Sequence, residues 1–130
     1  MNTALTTCAL ALSSAGRQLE RLIKSVTDTP FEVLALSNEA ANVELVIFSI
    51  EHQINDLNGD QRTLLQGVLA NSRLDRFVML ADEMFKTYAK SDFKTKRRRW
   101  IKDRDDVRES IQILKELRLS IAAAITNNIS

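Results

Sequence analysis

Few side chains in this sequence could carry covalent or metal chemistry. Cys8 is the only cysteine and His52 the only histidine. Neither a zinc cluster nor a second disulfide partner can be assembled from them. A serine or cysteine triad would have to use His52, and nothing beside it in sequence suggests a nucleophile or an orienting carboxylate. A di-iron bundle needs Glu-x-x-His pairs on two helices, which one histidine cannot supply. Asp103, Asp105 and Asp106 are spaced like part of a calcium loop. They lack the glycine of its turn, and helical patterning follows them. The three glycines are scattered, so no phosphate-cradling loop exists. The expectation is a non-enzymatic chain with no catalytic, cofactor or metal-binding residue, acting by binding, assembly or membrane contact. One run stands out: Lys94-Thr95-Lys96-Arg97-Arg98-Arg99. It reads as a footprint for phosphate or anionic lipid, or as a solvated loop.

The composition limits what can present that run. A length of 130 residues fits a single domain spanning 1–130. Apolar residues make up 45% of the chain, with only 3 Gly and 1 Pro. So few turn-formers exclude a many-stranded sandwich or barrel. The net charge of +1 hides an asymmetry: residues 1–58 hold 3 basic and 7 acidic side chains, and residues 94–130 hold 10 and 5. No segment is expected to span a membrane; residues 1–16 are uncharged but short and interrupted by Thr3, Thr6, Thr7, Ser13 and Ser14. A cleaved leader is not expected either, because the basic start is missing and the helical pattern runs through Gly16.

Four helical stretches emerge from the spacing of apolar residues. In the first, from Thr3 to Val26, Leu5, Cys8, Leu12, Ala15, Leu19, Leu22 and Val26 alternate by three and four, the seam of a helix packed along its neighbours. Cys8 lies on that seam and reads as a small buried hydrophobe. Thr29-Pro30-Phe31-Glu32 predicts a capping box with Pro30 at the first helical position. The second seam then runs Leu36, Ala40, Val43, Ile47, Ile50, Ile54 and Leu57, and Asn58-Gly59 is expected to end it in left-handed backbone. Val46, Phe48 and His52 fall off the seam, the last as an exposed helix residue. The third stretch, Asp60 to Ala89, reads as one helix bent near residues 71–73, with a break into two as the alternative. In the fourth, Trp100, Val107, Ile111, Leu114, Ile121 and Ile125 form the seam, after a basic connection and with Asp103, Asp105 and Asp106 near the helix start. Asn127-Asn128-Ile129-Ser130 is expected to fray without a clean stop, as though the chain continues. The predicted fold is all-α: an antiparallel bundle of four long helices with Leu19, Ile47, Ile50, Leu80, Ile111 and Leu114 in its core.

Three stretches resemble the HeLo-like N-terminal domains of fungal NOD-like (STAND) receptors. They are the small-residue-rich start from Ala4 to Gly16, the segment from Thr29-Pro30-Phe31-Glu32 through Leu36-Ser37-Asn38-Glu39-Ala40 to Val46, and Arg97-Arg98-Arg99-Trp100 leading into Val107, Ile111, Leu114, Leu117 and Ile121. The resemblance implies an effector domain of non-self recognition and programmed cell death. It would sit ahead of a nucleotide-binding module, reside in the cytoplasm, self-associate on activation and be recruited to the plasma membrane. The membrane-interaction candidates are Leu5, Leu10 and Leu12 on the first helix and Lys94, Lys96, Arg97, Arg98 and Arg99 in the basic run. The first helix would leave the bundle, with Leu10 making the first lipid contact. The alternative is a helical adaptor binding like domains or partner helices through off-seam Leu10, Val46 and Phe48. Nucleic acid is the less favoured partner of the basic run, because Trp100 falls on a core seam rather than on a stacking surface.

Overall fold

The computed structural model describes residues 2–126, so the expected fraying of residues 127–130 lies outside the described residues. All regular structure in the described residues is helical: α1 (Asn2–Ser25), α2 (Phe31–Gln53) followed by a short 3-10 turn (Ile54–Asp56), α3 (Gly59–Ala70), α4 (Leu74–Tyr88) and α5 (Arg97–Thr126). α1 packs against α2 and α4 and touches α3; α5 packs against α2 and α3 and touches α4. The α1 seam is deeply buried: Leu12, Ala15, Leu19 and Leu22 are wholly inaccessible to solvent, and Leu5 and Cys8 nearly so. Burial also pushes the Cys8 thiol up from its ordinary pKa.

The third stretch is two helices, not one bent helix. α3 stops at Ala70, and Arg73 takes left-handed backbone at φ 58° before α4 begins. Arginine is a costly residue there, so the residue type at the break does not announce the left-handed turn as a glycine would.

Both expected helix boundaries in the first half shift. Thr29 does not cap α2: Pro30 occupies the N-cap position, and no side chain caps that end. The Thr29 hydroxyl oxygen is buried without a partner, and Glu32 reaches across to Arg108 of α5 at 3.2 Å. The capping box forms one helix later. Asn58 is extended rather than left-handed; its Oδ1 accepts from the Gln61 N–H at 2.8 Å, and its own N–H donates to Gln61 Oε1 at 2.8 Å. The Gln61 amide then donates to the Ile125 carbonyl at 2.6 Å, fastening α3 to the end of α5.

The α5 seam is Val107, Ser110, Leu114, Leu117, Ile121 and Ala124, all buried. Ile111, expected in the core, is only half-buried and rests against its edge. Residues 110 and 111 both keep helical register with Val107 and Leu114, and the smaller one is taken inward. Beside the seam, Arg118 donates through Nε to Glu39 Oε1 at 2.8 Å, joining α5 to α2. Glu39 is the one buried charged residue among the described residues.

Contrary to expectation, one helical segment is long and apolar enough to cross a membrane: Phe31–Asp56, with mean hydropathy 1.4. Core helices pass the same test, and this one supplies Val33, Leu36, Ala40, Val43, Ile47 and Ile50 to the core.

Two stability predictions follow from these boundaries. Asn58→Ala should cost about 0.5–2 kcal/mol, because two N–H groups at the start of α3 lose their arrangement. Thr29→Val should leave stability unchanged or raise it, since it removes an unpartnered buried hydroxyl. Urea midpoints at constant m-value compare them. Likewise Leu114→Ala should cost about 2–5 kcal/mol and Ile111→Ala clearly less. Equal losses would mean that Ile111 rather than Ser110 occupies the seam.

Candidate functional site

The basic run is held rather than loose. Asp28, in the α1–α2 connection, accepts the backbone N–H of Phe93 at 3.2 Å and of Lys94 at 2.8 Å. Asp92 accepts the Thr95 N–H at 2.7 Å, and hydrogen bonds from Thr95 hold its carboxyl below the usual carboxylate range. The two carboxylates thus bind backbone and leave the neighbouring cations unneutralised by direct pairing.

An aromatic cluster fixes the loop from beneath. Phe93 is buried and stacks on Tyr88 with ring centres 4.1 Å apart, and Trp100 meets both rings edge-on at 5.3 Å and 6.4 Å. The Tyr88 hydroxyl donates to Asp103 Oδ2 at 2.7 Å. Burial, then this hydrogen bond and the Asp103 charge, push the Tyr88 phenol well above the ordinary tyrosine pKa. Asp103 also accepts from Arg99 Nε, at 3.1 Å and 3.2 Å to its two oxygens.

The candidate cations therefore divide. All of Lys94, Lys96, Arg97, Arg98 and Arg99 are exposed, but Arg99 is tied to Asp103. Lys94, Lys96, Arg97 and Arg98 make no ion pair among the described residues. Arg97 to Arg99 are not loop residues, as expected, but the first turn of α5, and Asp103, Asp105 and Asp106 fall further along the helix. A helix start is itself partly positive, so these arginines add to that field instead of balancing it.

The apolar candidates sit elsewhere. Leu5 and Leu12 are buried and Leu10 is 66% exposed. The carboxyl end of α1 leads into Asp28 and hence to the basic loop. Leu10 is 15 residues earlier than Ser25 in that helix, on the order of 22 Å along its axis. Its end of α1 meets the α3–α4 junction, where the Cys8 thiol lies 3.9 Å from both the Leu69 carbonyl and the Ser72 hydroxyl. The structure does not bring the first-helix candidates and the basic run together.

Two other apolar residues lie at the basic end. Phe31, three residues after Asp28, is 79% exposed, and Ile101, in the second turn of α5, is half exposed. The sequence reading missed both. It took Phe31 as part of a capping box and gave Ile101 no role.

The outer face of α2 was anticipated only in part: Phe48 and His52 are exposed as expected, and the rest of the row was not foreseen. Phe31, Leu34, Asn38, Ala41, Leu45, Phe48 and His52 follow the same three-four alternation as the core seam and are all exposed. They lie on the side of α2 away from its buried row. Val46, expected at this surface, is half-buried against the core, and His52 packs edge-on to Phe48 at 4.6 Å. No cluster of metal-ligating side chains occurs among the described residues. No family model, curated protein or solved structure matches this chain.

Tyr88 is the only tyrosine, so its titration can be read from phenolate absorbance without interference. The folded protein should show no phenolate signal at about pH 10, where a free tyrosine is half ionised. The linkage sign is definite. Below that pH the phenol is protonated in both states and the stabilisation is complete. Above it unfolding releases a proton that the native state holds, so stability falls as pH rises. Tyr88→Phe should remove this alkaline loss. Ordinary titration of Tyr88 in the folded chain would contradict the buried geometry.

Proposed function

We propose that this chain is a non-enzymatic helical effector domain that docks on anionic membrane with the end carrying the basic loop. The observation that carries the reading is the gathering at that end of four cations without an ion-pair partner among the described residues, beside exposed Phe31 and Ile101. Each lysine or arginine near an anionic surface contributes about 1 kcal/mol, and an inserted aromatic ring adds apolar burial. The resemblance to HeLo-like domains supports the same assignment: an N-terminal effector of non-self recognition that triggers programmed cell death after clustering. In that setting it would be cytoplasmic, recruited to the plasma membrane, and followed by a nucleotide-binding module. With α3 and α4 taken as halves of one arm, we read the fold as an antiparallel four-arm bundle. Leu5 and Leu12 could reach lipid only if α1 left the core, whereas the basic end requires no rearrangement.

A second reading, a helical adaptor, is favoured by the uncovered apolar row on α2. The two surfaces share Phe31 and are otherwise separable by mutation.

Vesicle sedimentation tests the first reading. The chain should bind vesicles rich in phosphatidylserine and not neutral phosphatidylcholine vesicles, with binding falling as salt rises. Replacing Lys96, Arg97 and Arg98 with Gln should remove about 3 kcal/mol, or roughly 100-fold in affinity at low salt. Phe31→Ser should weaken binding with little salt dependence, and Leu10→Glu should leave this first binding step unchanged. Equal binding to both vesicle types, or none, would defeat the membrane reading. Tight duplex DNA binding that is lost in the triple variant would redirect it to nucleic acid.

A further inference from the structure

We infer that the outer face of α2 is a self-complementary surface that pairs with α2 of a second copy of this chain, the two helices antiparallel about a two-fold axis at Ala41. The inference rests on the adaptor reading of that face and shares only Phe31 with the membrane reading.

The face is built like a helix-pairing seam. Its residues alternate by three and four over the whole helix, which keeps one stripe aligned with a neighbouring helix. Soluble chains commonly expose single apolar residues, but here Phe31, Leu34, Leu45 and Phe48 are 79%, 39%, 66% and 59% exposed along one line. Together they present on the order of 400–500 Å² of apolar surface, at the upper limit for a monomer that uses no such patch. Two such faces with their polar margins would bury about 1,000–1,200 Å², the lower edge of specific association. A weak pair, with a dissociation constant on the order of 10 µM, fits that area.

The stripe is also partly palindromic about its midpoint, with Leu45 against Asn38 of the second copy as its one mismatched pair. Antiparallel pairing sets Phe48 against Leu34 of the second copy, His52 against its Phe31, and Ala41 against its Ala41, so the smallest residue lies where the backbones come closest. The opposed helix dipoles favour this direction. Parallel pairing would place the two His52 rings together. The margins tolerate the pairing: Glu44 falls beside Ser37 of the second copy and Asn42 beside its Asn42, with no carboxylates opposed.

Sedimentation equilibrium and cysteine cross-linking test the arrangement on the full chain. Between about 1 and 100 µM the mass should rise from 14.7 kDa towards twice that value. Leu45→Glu and Phe48→Glu should each hold it at one chain with an unchanged helical circular dichroism spectrum. In a Cys8→Ala background, Ala41→Cys should form an inter-chain disulfide under mild oxidation. Phe31→Cys should not, because its counterpart lies about 30 Å away in an antiparallel pair. Cross-linking at both positions means a parallel pair, and a dimer indifferent to both glutamate variants means another face; either overturns the inference. A monomer throughout also overturns it. In that case bis-ANS fluorescence lost on Leu45→Glu would keep the face as an open apolar surface for another partner, and no difference would remove the adaptor reading too.

Discussion

The structure depends on the desolvated seam of α1. Its three-four alternation runs unbroken from Leu5 to Leu22, and none of these residues is more than 6% exposed. Such a row is stable only with helices laid along it, and α2 and α4 supply most of the cover. Burying one leucine of this kind contributes about 1.5–3 kcal/mol, so the row together outweighs any single polar contact. This bears on function. Freeing α1 into a membrane would expose the whole row and strip α2 and α4 of their cover, which requires a compensating lipid or oligomer contact of similar size.

Polar contacts do a different task, fixing where chain ends and loops lie once the seam has set the packing. Asp28 ties the α1–α2 connection to the basic loop, Gln61 ties α3 to the end of α5, and Glu39 with Arg118 ties α2 to α5. Asp103 links Tyr88 beneath the loop to Arg99 at the helix start. Without the Asp28 contacts and the aromatic cluster, residues 92–96 would sample many conformations, and their cations would present no fixed pattern. Asp28 and Asp92 preorganise the loop by binding its backbone, so Lys94, Lys96, Arg97 and Arg98 are left without a direct ion pair among the described residues, while Asp103 takes Arg99.

The helical class and most of the core were legible because apolar spacing reports which side of a helix faces inward, and Leu19, Ile47, Ile50, Leu80 and Leu114 are buried as the spacing implies. What the spacing could not resolve was choice between adjacent positions, as with Ser110 and Ile111, where packing space decides. The interruption at residues 71–73 was legible, but a bend could not be told from a break because the left-handed residue is an arginine and no glycine marks the stop; Thr29 misled because Thr-Pro-x-Glu satisfies the capping pattern whether or not the hydroxyl finds a donor. Among the site residues, exposure of the basic run follows from charge alone. The separation of Leu10 from that run does not, since it depends on which helix ends the fold brings together. The outer row of α2 was present in the spacing from Phe31 to His52, but a helix with two apolar rows gives no single preferred face, and the buried row was the one that explained the fold.

Those two surfaces differ in position as well as chemistry. The cations lie at one end of the molecule, and the α2 row runs down its side from Phe31. A copy that rests its basic end on a membrane still offers most of its α2 row laterally, from Leu34 to Phe48. Confinement to a surface raises the local concentration of neighbouring copies, so an association too weak to persist in solution can become populated there. The two surfaces meet at Phe31, which is 79% exposed and belongs to both the proposed lipid contact and the proposed pairing row. A copy whose Phe31 is inserted in lipid would pair through the remaining residues, Leu34, Ala41, Leu45 and Phe48. Association on a membrane should then depend less on Phe31 than association in solution does.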